Sequence, residues 1–217
     1  MNKVFLVLLF AILIIPGLIF SQSYNQENNG RINLKGKHSV NLNLGVVDNT
    51  SEVTVDINNV SSEMNFQASL SYNYWFTDEL AVEANAGFMS SSVNSNVTFS
   101  GVEQKTAVIT PYYLGGKYAP GALSVSNNIR PFVSVLLGGV TGSGTEETVS
   151  YTAVCTSTYS YTVFSFKTGI GADALISKYI KLGLIVDYLY MPDFEKSVGT
   201  RNNYSGINLS FSFGVML

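Results

Sequence analysis

Few side chains in this sequence are suited to chemistry. Its 217 residues include one histidine, His38, and one cysteine, Cys155. Hydrolysis or group transfer needs a nucleophile or an activated water with a base in reach. His38 opens an alternating segment at its expected periplasmic end, whereas outer-leaflet chemistry would want it at the other rim, and Cys155 sits among Thr and Tyr without the companions a metal needs. The acids and bases say more. Lys167 and Asp173 share one face of an extended segment, as do Lys181 and Asp187 after a turn at Ser177 and Lys178, because alternate residues of a strand point the same way. Folding at that turn lays the two charged faces side by side. Glu83 and Arg130 fall on small, polar faces of the same kind. Carboxylates opposed by lysines read as ion pairs, not as an acid–base couple. No catalytic residue, cofactor or metal is expected. Glu83, Arg130, Lys167, Asp173, Lys181 and Asp187 are expected to form an inward charge network. It either seals an interior or lines a narrow conduit that selects solutes.

Placing those charges requires strands, and the period-two pattern supplies them. The clearest runs over 204–217. There Ile207, Leu209, Phe211, Phe213, Val215 and Leu217 alternate with Gly206, Asn208, Ser210, Ser212 and Gly214, and only Met216 departs from the rule. Similar segments occupy 38–47, 64–76, 80–90, 105–118, 129–141, 160–176 and 179–190. The segment 105–118 is the least regular. Ile109 and Tyr113 intrude on its polar face, and Pro111 removes a ladder donor from its interior. The links at 48–63, 91–104, 142–159 and 191–203 read as long polar loops, whereas 77–79 and 177–178 are tight turns and 119–128 is intermediate.

Eight strands with long and short connections in alternation match a barrel that crosses an outer membrane, with short periplasmic turns and long outer loops. A soluble barrel has no reason to show that asymmetry. The closing strand also leaves a greasy face with no later segment to cover it, which points to lipid. Composition agrees. Only 12% of residues are charged, against about 25% in an average protein, and the formal net charge of −3 argues against nucleic acid. The single cysteine precludes an internal disulfide. Lys3, the apolar run 4–15 and the small polar residues near Ser21 and Ser23 read as a secretory signal over 1–21, cleaved near 21–23. The stretch 22–37 is expected to be a flexible lead-in, and 38–217 the barrel.

The segment Tyr204-x-Gly206-x-x-Leu209-x-Phe211 resembles the carboxyl-terminal signal read by the outer-membrane barrel assembly machinery, with Phe211 or Phe213 serving as the terminal aromatic. Segments 74–84, 130–139 and 167–173 are similar to those of small outer-membrane barrels of the OmpA transmembrane-domain and OmpW types. The resemblance implies an all-β, eight-stranded antiparallel transmembrane up-and-down barrel in the outer membrane, surrounded by membrane lipid and without the peptidoglycan-binding domain that OmpA-type proteins often carry. Tyr72, Tyr74, Trp75 and Phe76 near one rim, and Tyr188 and Tyr190 near the other, are expected to form aromatic girdles. Three functions remain open: a structural or surface-interaction protein with a plugged polar lumen, meeting a surface ligand through its long loops; a narrow pore or transporter for small or apolar solutes; and a soluble secreted barrel that binds an apolar ligand.

Overall fold

A computed structural model describes residues 32–49, 65–90, 94–98, 101–124, 128–150, 154–199 and 201–217. The signal, most of the lead-in and most of the first long loop lie outside the described residues. The strands are β1 (His38–Asn49), β2 (Asn65–Trp75), β3 (Leu80–Ser90), β4 (Asn94–Thr98), β5 (Gly101–Tyr118), β6 (Ile129–Ser150), β7 (Val154–Leu175), β8 (Ile180–Tyr190) and β9 (Gly206–Met216). Eight of them form one closed antiparallel barrel in the order β1, β2, β3, β5, β6, β7, β8, β9, with β9 returning to β1. The ninth, β4, lies outside the ring and pairs only with β5.

The alternation read from the sequence sets the inside and outside of the wall. On β9, Asn208, Ser210, Ser212 and Gly214 are buried while Phe211, Phe213 and Val215 are exposed. On β1, Asn41 and Asn43 face in while Val40, Leu42, Leu44 and Val46 face out. Met216, the exception in the pattern, points inward and packs into an apolar floor. The two tight turns share one device. The Thr77 hydroxyl accepts hydrogen bonds from the amides of Glu79 and Leu80 at 3.2 and 2.9 Å, and the Ser177 hydroxyl accepts from Tyr179 and Ile180, both at 3.1 Å. A hydroxyl residue at that position holds the reversal by mimicking a backbone turn.

Pro111 leaves a visible mark. The β3–β5 ladder runs from Leu80↔Tyr118 to Ala86↔Tyr112, skips the positions of Pro111 and Thr110, and resumes in the same register at Met89↔Ile109. A proline has no amide hydrogen to donate, so the ladder opens there without slipping. Pairing with β6 continues through Pro111↔Val140.

Two segments read as loops contain strand. Residues 94–98 and 101–105 form a hairpin, and β6 and β7 stay paired as far as Val149↔Val154. The lead-in also differs from expectation at its end. Residues 32–37 form a strap across the short-turn end of the barrel. The Leu34 amide donates to Asp78 Oδ1 at 2.8 Å, the Gly36 amide to the Trp75 carbonyl at 2.7 Å, and the Leu34 side chain is buried in the floor. Two apolar residues, Ile32 and Leu34, among polar ones are too weak a signal to distinguish a docked strap from a free lead-in.

Candidate functional site

The interior is built in three layers. At the short-turn end, Leu34, Trp75, Phe132, Leu175 and Met216 form an apolar floor. Arg130 latches it. One guanidinium nitrogen donates to Asp78 Oδ1 at 3.0 Å and to the Asp78 carbonyl at 3.1 Å, and the other donates to the carbonyl of Ile32. The strap, the β2–β3 turn and β6 are thereby tied by one side chain.

The middle layer is polar and has two unlike walls. Strands β5 to β8 carry the ion pairs. Asp173 Oδ2 lies 2.7 Å from Lys117 Nζ and 3.3 Å from Lys181 Nζ, and Asp187 Oδ2 lies 3.2 Å from Lys167 Nζ. Asn208 Nδ2 donates to Asp187 at 3.0 Å. The Lys117 ammonium also stands 3.4 Å from the centre of the Phe132 ring, a cation–π contact. The opposite wall, β1 to β3, carries one charge, Glu83 on β3, and is otherwise neutral. Asn41 and Asn43 each donate to Ser71 Oγ, and Asn43 and Asn85 each donate to Ser69 Oγ. Between the walls lies a cavity of about 10 Å³ lined by Asn43, Glu83, Asn85, Lys167, Asp187 and Ser210. That is room for roughly one water.

The loop-end layer is apolar again. Met89, Ile109, Tyr113, Leu136, Val140 and Leu189 come from the wall. Met191, Phe194, Val198 and Tyr204 come from the β8–β9 connection, which folds into the mouth as a plug. The Tyr204 hydroxyl donates to the Val198 carbonyl, and Gly199 turns the plug with a φ of 66°. Gly142 makes room for it, since a Cβ there would press on Val198 and Phe194.

The residues singled out from the sequence separate accordingly. Lys167, Asp173, Lys181, Asp187 and Glu83 sit together in the middle layer, whereas Arg130 lies apart at the floor. Lys117 joins the layer and escaped notice because Ile109 and Tyr113 blurred the parity of its strand. Those two belong to the apolar layer above, so the inward face of β5 changes character along its length. Tyr72, Tyr74, Phe76, Tyr188 and Tyr190 face outward. Trp75 does not: it is 2% exposed and lies inside the floor, because it alternates with its two aromatic neighbours. His38 lies between Tyr72 and Tyr74 and is hydrogen-bonded to the Tyr72 hydroxyl. Cys155 falls on β7, paired with Thr148; its side chain is outside the described ones. Among the described residues no group of three His, Cys, Asp or Glu is placed to hold a metal.

Outside, Val40, Leu42, Leu70, Leu114, Leu137, Leu184, Phe211 and Phe213 belong to a continuous exposed apolar surface. No described helix is long and apolar enough to cross a membrane. Residues 12–216 match the family profile described as "Outer membrane protein beta-barrel domain". No curated protein matches the chain. Among solved structures it is similar to Ail, the attachment invasion locus protein of Yersinia pestis, at 12% identity and a TM-score of 0.52, over 84% of this chain and 99% of that one. Ail in complex with the heparin analogue sucrose octasulfate matches at 10% identity and a TM-score of 0.52, over the same shares. The outer membrane protein OprG from Pseudomonas aeruginosa matches at 13% identity and a TM-score of 0.49, over 85% and 97%. At such identity the likeness to Ail is likeness of fold.

Proposed function

This chain belongs to the outer membrane protein β-barrel domain family, and from that premise we propose that it is a structural or surface-interaction protein whose lumen is closed to ions. Its exposed apolar wall meets lipid, and the soluble alternative has no support. The observation that carries the reading is the filled interior: an apolar floor, an ion-paired middle with room for about one water, and an apolar plug at the mouth. A conduit needs a continuous polar path, and both ends here are sealed by large apolar side chains. Opposed charges in the middle satisfy one another, which is what a buried charge requires. In this reading Glu83, Lys117, Lys167, Asp173, Lys181 and Asp187 are a structural network, and Arg130 holds the floor.

The same reading keeps Tyr204, Gly206, Leu209, Phe211 and Phe213 as the signal for the assembly machinery. Tyr72, Tyr74, Phe76, Tyr188 and Tyr190 are its interface aromatics. Surface ligands would meet the loop end, and the heparin analogue bound by Ail is a precedent for that fold alone.

Single-channel conductance of the refolded barrel in a planar bilayer tests the closed lumen. The native protein, proved folded by heat-modifiable migration, is expected to be silent. Discrete steps that change with Lys181→Ala or Asp187→Ala would establish a narrow conduit instead.

A further inference from the structure

The lipid-facing wall is not uniform. Two neighbouring rungs of its outward face cross β1, β9, β8 and β7. One runs from Leu44 to Ala172 and the next from Leu42 to Ala174. Exposed leucines and phenylalanines occupy both rungs on β1, β9 and β8, and each rung ends on β7 in a small, half-buried alanine. These side chains line an apolar groove of about 370 Å³.

The same strands end in positive charge. At the short-turn end the Met216 amide bonds to the Tyr179 carbonyl, and His38 exchanges backbone bonds with Leu217. Lys178 and Lys37 therefore stand at the feet of β8 and β1 with only β9 between them, about 10 Å apart at the backbone. Lys178 is exposed, and its ammonium lies 5.0 Å from the centre of the Tyr179 ring. Neither lysine is ion-paired to a described residue. The acidic side chains described at this end are engaged elsewhere: Asp78 with Arg130, and Glu79, which accepts from the Gly121 amide at 2.8 Å. From Lys178 to Leu182 and Leu184 the strand rises about 13–20 Å, which is about 10–15 Å along the membrane normal at the usual tilt. One leaflet of the hydrocarbon core is about 15 Å deep, so an acyl chain whose headgroup sits at the lysines reaches the groove.

We propose that the groove and the two lysines form a binding site for one anionic glycerophospholipid of the periplasmic leaflet, with an acyl chain in the groove and the phosphate at Lys37 and Lys178. Charge complementarity selects the headgroup. A zwitterionic headgroup carries its own ammonium, which the lysines repel, whereas an anionic one leaves their attraction whole. A second copy of this chain fits poorly, because a twofold axis along the membrane normal would bring the lysine-bearing feet of both copies together. The site rests on the lipid-facing wall of the reading above but not on the closed lumen. A conducting barrel would sink the lumen alone, and a barrel without lipid preference would sink this site alone.

Native mass spectrometry of the refolded full barrel, released from micelles holding equal amounts of phosphatidylglycerol and phosphatidylcholine, tests this. The native barrel should retain one phosphatidylglycerol in preference to phosphatidylcholine by at least about tenfold, the effect of two lysines on an anionic headgroup. The double variant Lys37→Gln/Lys178→Gln should erase the preference. Ala174→Phe, which fills the groove, should release both lipids; Ala174→Leu takes its place if heat-modifiable migration shows that the larger variant does not fold. Four results would overturn the proposal: equal retention of the two lipids by the native barrel, a preference that survives loss of both lysines, retention untouched by a filled groove, or a dimer in place of bound lipid.

Discussion

The middle layer shows how single residues hold one another. Asp187 has a side chain only 2% exposed and faces Lys167 across 3.2 Å. Removing one member of a buried pair leaves the other charge without compensation, so Asp187→Ala should destabilise the barrel by roughly 3–5 kcal/mol. The double variant Lys167→Met/Asp187→Leu should be much less costly, because an apolar replacement of the whole pair avoids the desolvation penalty. Urea unfolding in detergent micelles compares the two. The single tryptophan of the chain, Trp75, gives a second check. Its emission should be blue-shifted and insensitive to brominated lipids, since it packs in the floor; a girdle residue would be quenched. Parity alone placed Lys167, Asp173, Lys181 and Asp187 inward, and parity should also have moved Trp75 inward, away from Tyr74 and Phe76. Clustering of aromatics along the chain was the misleading cue.

At the scale of elements, the β1–β9 seam is drawn tight by glycines. A Cβ on Gly206 would collide with the Asp48 carbonyl, and one on Gly45 would lie 2.5 Å from the Leu209 carbonyl. Gly206→Ala should therefore lower refolding yield in pure detergent, where no assembly machinery is present; gel migration of boiled and unboiled samples measures it. Normal refolding beside failed assembly in cells would assign Gly206 to recognition alone. Strands that line lipid on one side and a polar lumen on the other were legible in the sequence, because the two faces differ in chemistry. The upper parts of β6 and β7 were not. Thr, Ser, Gly and Tyr there occupy both faces of a ribbon, so no period-two contrast marks them. The plug at 191–204 was equally silent, since Phe194 and Val198 are isolated apolar residues in a polar stretch.

For the whole molecule, the apolar wall defines how deep each residue lies. Leu184→Arg, in the middle of β8 on the lipid face, should cost about 2–4 kcal/mol of folding stability in vesicles. Thr162→Arg, on the outward face of the protruding sheet, should cost far less, at most about 1 kcal/mol near or beyond the interface. Equal penalties would mean that the membrane boundary is misplaced. The seam carries one more consequence, and it concerns time. Most neighbouring strands of the ring are joined by a local connection, but β1 and β9 meet from opposite ends of the barrel sequence, Ser39 against Met216 and Asn49 against Gly206. Loop-closure entropy makes such non-local pairing slow. Until it forms, two strand edges stay unpaired, a state that hydrocarbon does not tolerate. An incomplete sheet therefore has no resting place inside the bilayer, and the last rung to form must set the pace at which the molecule enters it.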